Sequence, residues 1–406
     1  MSLLEYFYDT LTDHFTTPAT VADAPHIYEM SMAAEAIRTI SAMPGQKLTA
    51  DCRVYIGGRR ASPFEGKRFI DLIAKYRDLS CVPWHDLTKG APFLIFVNKA
   101  SLFSEAMDIA TRGMLGKFCD QFEPEGVSIE HHVIIGQYAE TDFGVHVDDP
   151  ADRVFHFNLG PVGKEMILWP REPFIERYGT NPTRPLGETD LEGSARYEMP
   201  VGSCFFLPAD YYHVGRSPEG VSVVVAIALS RQSSEEQLAA VHREIKNAIA
   251  PIEDLTPYWT NFRRAPTEAQ QKNICAAFAR HDYAGWLQHA RARARSNGWI
   301  SEVRPLGAPD IPPGEFDLTI SAEAPPQVVS AGHVLHVYAR GQHIALTDEG
   351  AISWTRSLLA GDPVRLSQEE VLAGIEKRNA QMLVAAWFLA TGGATADPAS
   401  VLETAQ

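Results

Sequence analysis

Between residues 131 and 230 the apolar residues come in short runs: HHVIIGQY, RVFHFNL, KEMILWP, SCFFLP and VSVVVAIAL. The runs are rich in β-branched and aromatic side chains and are separated by turn residues, which predicts an antiparallel sandwich or barrel. The flanks read differently. Apolar residues recur at helical spacing from Met30 to Met43, and SEAMDIATRGMLGKF (104–118) predicts a second helix, so residues 1–130 read as helices and loops. A polar insert bearing Pro and Gly between Pro170 and Pro200 reads as a lid or binding loop. After Ser230 the strand pattern stops, and 233–297 reads as helical, opening on the Ser-x-x-Glu start of SSEEQLAAVHREIKNAIA. Pro305, Gly307, Pro309, Pro312, Pro313 and Gly314 mark a linker. Beyond it VLHVYA and HIAL read as strands joined by a turn at Arg340-Gly341, and AISWTRSLLAG as a short helix. Ser367 with Glu369 and Glu370 reads as the start of a longer helix whose Leu372, Ile375, Met382 and Ala386 share a face. The expected architecture is a mainly β domain with flanking helices over residues 1–230, a helical segment over 231–304, and a winged-helix-like α+β domain over 305–406.

Composition narrows the classes. A chain of 406 residues suggests two or three domains. With 45% hydrophobic and 21% charged residues, it is not a disordered, collagen-like or coiled-coil chain. The 51 acidic residues outnumber 36 Lys and Arg, and the net charge of −15 argues against a mainly electrostatic grip on nucleic acid. Cys52, Cys81, Cys119, Cys204 and Cys275 are odd in number and widely spaced, which argues against a disulfide framework or structural zinc and for a reducing compartment. MSLLEYFYDTLTDHF lacks the basic start and continuous apolar stretch of a secretory signal, and the most apolar runs, 221–230 and 382–390, are too short to cross a bilayer. A cytoplasmic protein with no membrane partner is therefore expected. Residues 239–300 hold nine Lys and Arg against five Asp and Glu, and residues 233–300, whose Ala-rich stretches suit helix packing, are expected to form a homodimer or domain interface. Within them HARARARS (289–296) reads as a solvated helix face. No G-x-S-x-G, G-x-G-x-x-G or Walker A string appears, and GPVGKE lacks the first Gly and the Ser/Thr of a P-loop, so these readings have no support.

The chemistry concentrates in TDFGVHVDDPADRVFHFNLGPVGKEMILWP (141–170) and PVGSCFFLPADYYHV (200–214). His146 and Asp148 are two apart, a spacing that puts both side chains on one face of a strand. An antiparallel barrel can bring His213, which follows the strand SCFFLP, beside them. The three would form a 2-His-1-carboxylate triad that leaves open positions on Fe(II) for a bidentate cosubstrate and O2. His242-Arg243-Glu244 has the same spacing, but in a helical pattern, where i and i+2 diverge. Lys164 opens the apolar strand KEMILWP and would need an anion for its ammonium, such as the far carboxylate of a metal-chelating 2-oxo acid. Asn158, Tyr138 and Thr141 are further candidates to hydrogen-bond that cosubstrate. His131, His132 and His156 read as ordinary core or surface histidines.

The order HVD, then KEMILWP, then LPADYYH resembles the JmjC (cupin-type) Fe(II)/2-oxoglutarate oxygenases, in particular those that hydroxylate protein side chains. Leu207-Pro208-Ala209-Asp210-Tyr211-Tyr212-His213 matches that family's aliphatic-Pro-x-x-aromatic-aromatic-His motif. Lys164 matches its lysine before a Leu-aromatic-Pro strand, and Asn158 its asparagine with a one-residue gap. Phe143 stands where the family often has Thr. The resemblance covers roughly residues 125–230. It implies a double-stranded β-helix (jelly roll) with Fe(II) on His146, Asp148 and His213 and 2-oxoglutarate on Lys164. O2 would be the second cosubstrate, and hydroxylation of an unactivated C–H would be coupled to decarboxylation of 2-oxoglutarate to succinate. The domain order resembles the bacterial ribosomal oxygenases, which dimerise through the helical segment but usually carry Arg at the position of Lys164. The expected substrate is a peptide or protein side chain, including a peptide natural product held by the C-terminal domain. Hydroxylation of a small molecule such as a free amino acid, and a catalytically silent cupin-type binding protein, are the alternatives.

Overall fold

The strand-like runs pair into one antiparallel system. Its strands are β1 (Ala19–Val21), β2 (Cys52–Ile56), β3 (Arg59–Arg60), β4 (Phe93–Asn98), β5 (Val127–Tyr138), β6 (Val145–His146), β7 (Asp152–Pro161), β8 (Lys164–Pro170), β9 (Thr183–Arg184), β10 (Ala195–Met199), β11 (Cys204–Pro208) and β12 (Tyr211–Arg231). The structure, a computed structural model, describes residues 2–44, 48, 50–122, 126–179, 183–184, 191–249, 268, 272, 275–276, 279, 281–304, 311, 314–318, 320, 325–377 and 379–383.

The major sheet runs β1-β11-β7-β12-β5-β4-β2-β3, and a second ladder runs β9-β6-β12-β8-β10. β12 belongs to both. Tyr211–Arg216 pair with β8, and His213 also faces His146 of β6. Ser222–Ser230 pair with both β5 and β7, after an irregularity between Ser217 and Ser222. Alternation along the runs decides which side chains turn inward. Ile134, Val154, Met166, Leu168, Phe205, Leu207 and Val224 fill the space enclosed by the strands. This large antiparallel sheet with flanking helices is consistent with the jelly-roll, cupin-like fold the sequence led us to expect.

Two expectations are corrected. Residues before 131 are not only helices and loops: the predicted helices form as Met30–Ala42 and Glu105–Cys119, but CRVYI and FLIFVN form β2 and β4 and extend the sheet beyond β5. Runs of five and six apolar-rich residues have no periodicity that separates strand from buried helix, and pairing with β5 settles it. The Pro170–Pro200 insert is not all loop either. Arg171–Tyr178 is a helix and β10 pairs with β8, while 180–182 and 185–190 lie outside the described residues.

The chain divides into two compact units. One comprises Met1–Phe122, Val127–Arg231 and Ile300–Glu302, and the other Glu123–Gly126, Gln232–Trp299 and Val303–Gln406. In the second, the helix Ser234–Ile249 starts on the expected box: Ser233 Oγ accepts from Glu236 N, and Ser233 N donates to the Glu236 carboxylate. It packs on the helix Tyr283–Ser296 through Val241, Ile245, Trp286 and Ala290. Further along are β13 (Glu315–Leu318), β14 (Gln327–Ala331), β15 (Val334–Ala339), β16 (Gln342–Leu346) and β17 (Val364–Ser367). The anticipated hairpin is β15-β16, turned by Arg340 and Gly341 with φ of 48° and 74°, the left-handed pair a tight hairpin needs. β14 adds a third strand, and β13 pairs with β17. The helix Glu349–Leu359 forms as expected. The helix begun at Ser367 is shorter than expected: it ends at Gly374, a poor helix former, and Ile375 is extended. Ala386 and most of the linker after Arg304 lie outside the described residues.

HARARARS is not a solvated face. His289, Ala290, Ala292 and Ser296 are buried, and Arg293 forks onto Glu244, Nε to Oε1 at 2.5 Å and Nη2 to Oε2 at 3.1 Å. The two side chains are 13% and 3% exposed, and Arg293 also donates to Gly341 O at the hairpin turn. Glu244, whose sequence spacing mimics a metal ligand, is thus the counter-ion of a helix–helix pair. Removing one partner of a buried pair strands the other charge, at about 3–5 kcal/mol. Arg293→Ala should therefore lower the urea midpoint of the second unit strongly, and an unchanged midpoint would mean that water already screens the pair.

Candidate active site

His146, Asp148 and His213 meet although 65 residues separate the last two in sequence. The reason is register: His146 of β6 is the direct antiparallel partner of His213 of β12. β6 ends at His146, so Asp148 is carried on the segment that follows rather than on the strand itself. The side chains still converge. Asp148 Oδ1 is 3.9 Å from His146 Nε2, and Oδ2 is 3.8 Å from His213 Nε2. One ligand atom from each residue lies within 4.8 Å of the others.

Both imidazoles are held by their far nitrogens. His146 Nδ1 bonds Gly144 O at 2.9 Å and His213 Nδ1 bonds Tyr211 O at 3.3 Å. A carbonyl only accepts, so each Nδ1 carries the hydrogen and each Nε2 presents its lone pair toward Asp148, the orientation a metal ligand requires. Burial, reinforced by His146, holds His213 well below the usual histidine range, so its ring is neutral and free to coordinate. Burial raises the Asp148 carboxyl, against the pull of His146 and His132. A half-buried carboxyl faced by two imidazole Nε2 atoms is a place that a divalent ion would satisfy. The donor set of two imidazole nitrogens and one carboxylate is that of non-haem Fe(II) sites.

The triad lies in the wall of a cavity of about 440 Å³. Lys164, Thr141, His132, His156, Arg53 and Phe143 share that wall. Lys164 is 5% exposed, and among the described residues its ammonium has neither a hydrogen bond nor an ion pair. Burial alone pushes it down to about 8. Gly215 makes the room it occupies: a Cβ there would come within 2.8 Å of Lys164 Cε and 3.2 Å of Nζ. Thr141 sits at the same corner, its N–H donating to Gly215 O at 3.0 Å, and its buried Oγ1 has no partner.

The other candidates are placed elsewhere. Asn158 is not in this wall: its amide donates to Val162 O and Met199 O, and its Oδ1 accepts from Gly160 N, so it braces the turn after β7. Tyr138 packs in the apolar core with Met166 and Leu168, where burial raises its phenol, and it is not in the cavity wall either. Four groups in the wall were not anticipated. His156 and His132 both carry a buried, unpartnered Nδ1, and burial takes His132 down to about 4. Arg53 arrives on β2, a strand the sequence pattern did not announce. Gly215 had a signal, a glycine two residues past His213 in an apolar strand, which marks close approach of a neighbour.

No protein-family model matches this chain, and no curated protein does. Among solved structures, the X-ray structure of E. coli ycfD is 12% identical, with a TM-score of 0.49 over 97% of each chain. YcfD, a ribosomal oxygenase from Escherichia coli, in complex with cobalt and 2-oxoglutarate is 12% identical, with a TM-score of 0.44 over 93% of this chain and 94% of that one. FeII HppE covers 25% of this chain and 42% of its own at a TM-score of 0.17 and 14% identity.

Asp148→Ala and His146→Ala should each abolish stoichiometric Co(II) or Fe(II) binding in calorimetry while leaving the circular dichroism spectrum and the β core intact. Unchanged metal stoichiometry in both variants would remove the triad as a metal site.

Proposed function

We propose that the protein is an Fe(II)- and 2-oxoglutarate-dependent dioxygenase that hydroxylates an unactivated C–H bond of a peptide or protein side chain. The observation that carries this reading is the pairing of a converged His-Asp-His triad with a buried lysine that lacks a counter-ion in the same cavity. The overall reaction takes 2-oxoglutarate, O2 and R–H to succinate, CO2 and R–OH, with one oxygen atom going to each organic product. Bound at the triad, Fe(II) would supply O2 activation and oxidation of the C–H bond.

The chain's own groups prepare that chemistry. Gly144 O and Tyr211 O fix the histidine rings, so the metal ligands need no reorganisation on binding. Lys164 offers its ammonium to the far carboxylate of 2-oxoglutarate, an ion pair formed out of water, and Thr141 Oγ1 is free to donate to the same group. Ile134, Phe143, Val154 and Ala226 supply apolar parts of the same wall. A peptide or protein substrate is favoured because a whole second unit, with its own apolar core, accompanies the catalytic unit.

The test is succinate release that depends on both Fe(II) and 2-oxoglutarate and disappears in Asp148→Ala. Absence of such release from the metal-loaded protein would overturn the oxygenase reading and favour a silent binding protein.

Losing a desolvated, charge-assisted contact costs about 2–4 kcal/mol, so Lys164→Ala should raise the KM for 2-oxoglutarate roughly 30- to 1,000-fold. Gly215→Val should act in the same direction by displacing the Lys164 side chain. A Gly215→Val protein that folds and keeps its KM for 2-oxoglutarate would show that the ammonium anchors elsewhere.

A further inference from the structure

The cavity holds a second cation that the oxygenase reading does not use. Arg53, on β2, reaches the wall with its guanidinium carbon 4.6 Å from the centre of the Phe96 ring and 5.1 Å from that of Phe143. The two rings meet edge to face, with centroids 5.2 Å apart, and form a fixed corner around the guanidinium. Among the described residues no carboxylate lies within ion-pair distance of Arg53, and its buried Nε has no hydrogen-bond partner. The acidic groups of the wall are otherwise engaged: Asp148 belongs to the triad, and Asp152 accepts from Ser230.

The sheet register separates Arg53 from Lys164. Asn98, His132, Ala226 and His156 lie side by side across β4, β5, β12 and β7. Within this row Arg53 lies near enough to act on His132, and Lys164 to act on His156 and also on His213. His132 and His156 are two strands apart, about 10 Å at normal strand spacing. Two cations without counter-ions therefore share the cavity wall with the triad, and on the oxygenase reading one 2-oxoglutarate accounts for one of them. Phe143 links the second to the metal site, since its ring is also 6.0 Å from that of His146.

We propose that Arg53 is a specificity-determining residue that binds a carboxylate on the substrate, so that the C–H bond to be oxidised lies several bonds from an acidic group. The proposal rests on the oxygenase reading and adds the substrate class to it. A planar guanidinium held between aromatic faces is suited to bidentate recognition of a carboxylate. The carboxylate could come from an acidic side chain of a peptide or from a free carboxylic acid, and the test separates the two.

The full-length protein is loaded with Mn(II), which binds 2-oxoglutarate without turnover, and the Kd for 2-oxoglutarate is measured first. If the wild type does not bind 2-oxoglutarate, the proposed function itself fails. With 2-oxoglutarate saturating, two matched pairs are titrated: acetyl-Ala-Glu-Ala-amide against acetyl-Ala-Gln-Ala-amide, and N-acetyl-glutamate against its diamide. The wild type should bind the acid of at least one pair roughly 10- to 100-fold more tightly than the amide. A preference confined to the peptide pair assigns the acid to a peptide, and one that includes N-acetyl-glutamate assigns it to a free acid. Arg53→Gln should erase the acid-to-amide ratio, and Arg53→Lys should restore only part of it, because Lys keeps the charge but not the fork. A merely structural Arg53 would change stability without changing that ratio. The proposal is overturned if neither acid is preferred by the wild type, if the preference survives in Arg53→Gln, or if Arg53→Gln weakens 2-oxoglutarate as much as Lys164→Ala does.

Discussion

One strand carries the architecture. β12 has 21 residues and lends its first part to one ladder and its second to the other. Everything that makes the site a site follows from that passage. The first part sets His213 opposite His146 and places Gly215 against Lys164. The second threads between β5 and β7, so that His132, Ala226 and His156 line up across the sheet. A shift of one residue along β12 would turn His213 and Gly215 to the opposite face together, because side chains alternate with period two. The convergence of the His-Asp-His triad and the lysine slot therefore share one register and cannot be lost separately by slippage.

The electrostatics of the cavity have a common cause. Burial holds His132, His156 and His213 below the usual histidine range, holds the Asp148 carboxyl up and depresses the Lys164 ammonium. Each of these groups is pushed away from its charged form chiefly because burial withdraws it from water. Elsewhere the same chain satisfies such needs directly, as Glu244 does for Arg293. A cavity that keeps Lys164 and Arg53 without counter-ions is, on the proposed function, one whose counter-charges would arrive with the molecules bound there.

Much of the site was legible in the sequence because its signals are local. His-x-Asp, the Lys164 strand and LPADYYH each occupy a few residues, and their order along apolar runs identifies a sheet on which they can meet. What could not be read depends on pairing. CRVYI gives no sign that Arg53 faces the same space as His132, since β2 reaches it only through β4 and β5. Asn158 looked like a ligand by position, yet its amide is consumed by backbone groups that only the folded turn brings near. Phe143, which departs from the resembling family's usual Thr, proved to be a wall of the pocket, packed against Phe96 and beneath Arg53. The basic helix misled for a related reason: charge composition does not reveal a partner 49 residues away in sequence.

β6 is two residues long, and its pairing with β12 consists of His146 against His213. So short a strand has little cohesion of its own. A metal ion coordinated by both histidines would act across that short pairing as a staple, fastening β6 to the long strand. Loading such a metal and fixing the fold at this strand would then be a single thermodynamic event. Metal supply would then set how firmly this part of the protein is folded, and its exposure to proteases would rise as the metal is withdrawn.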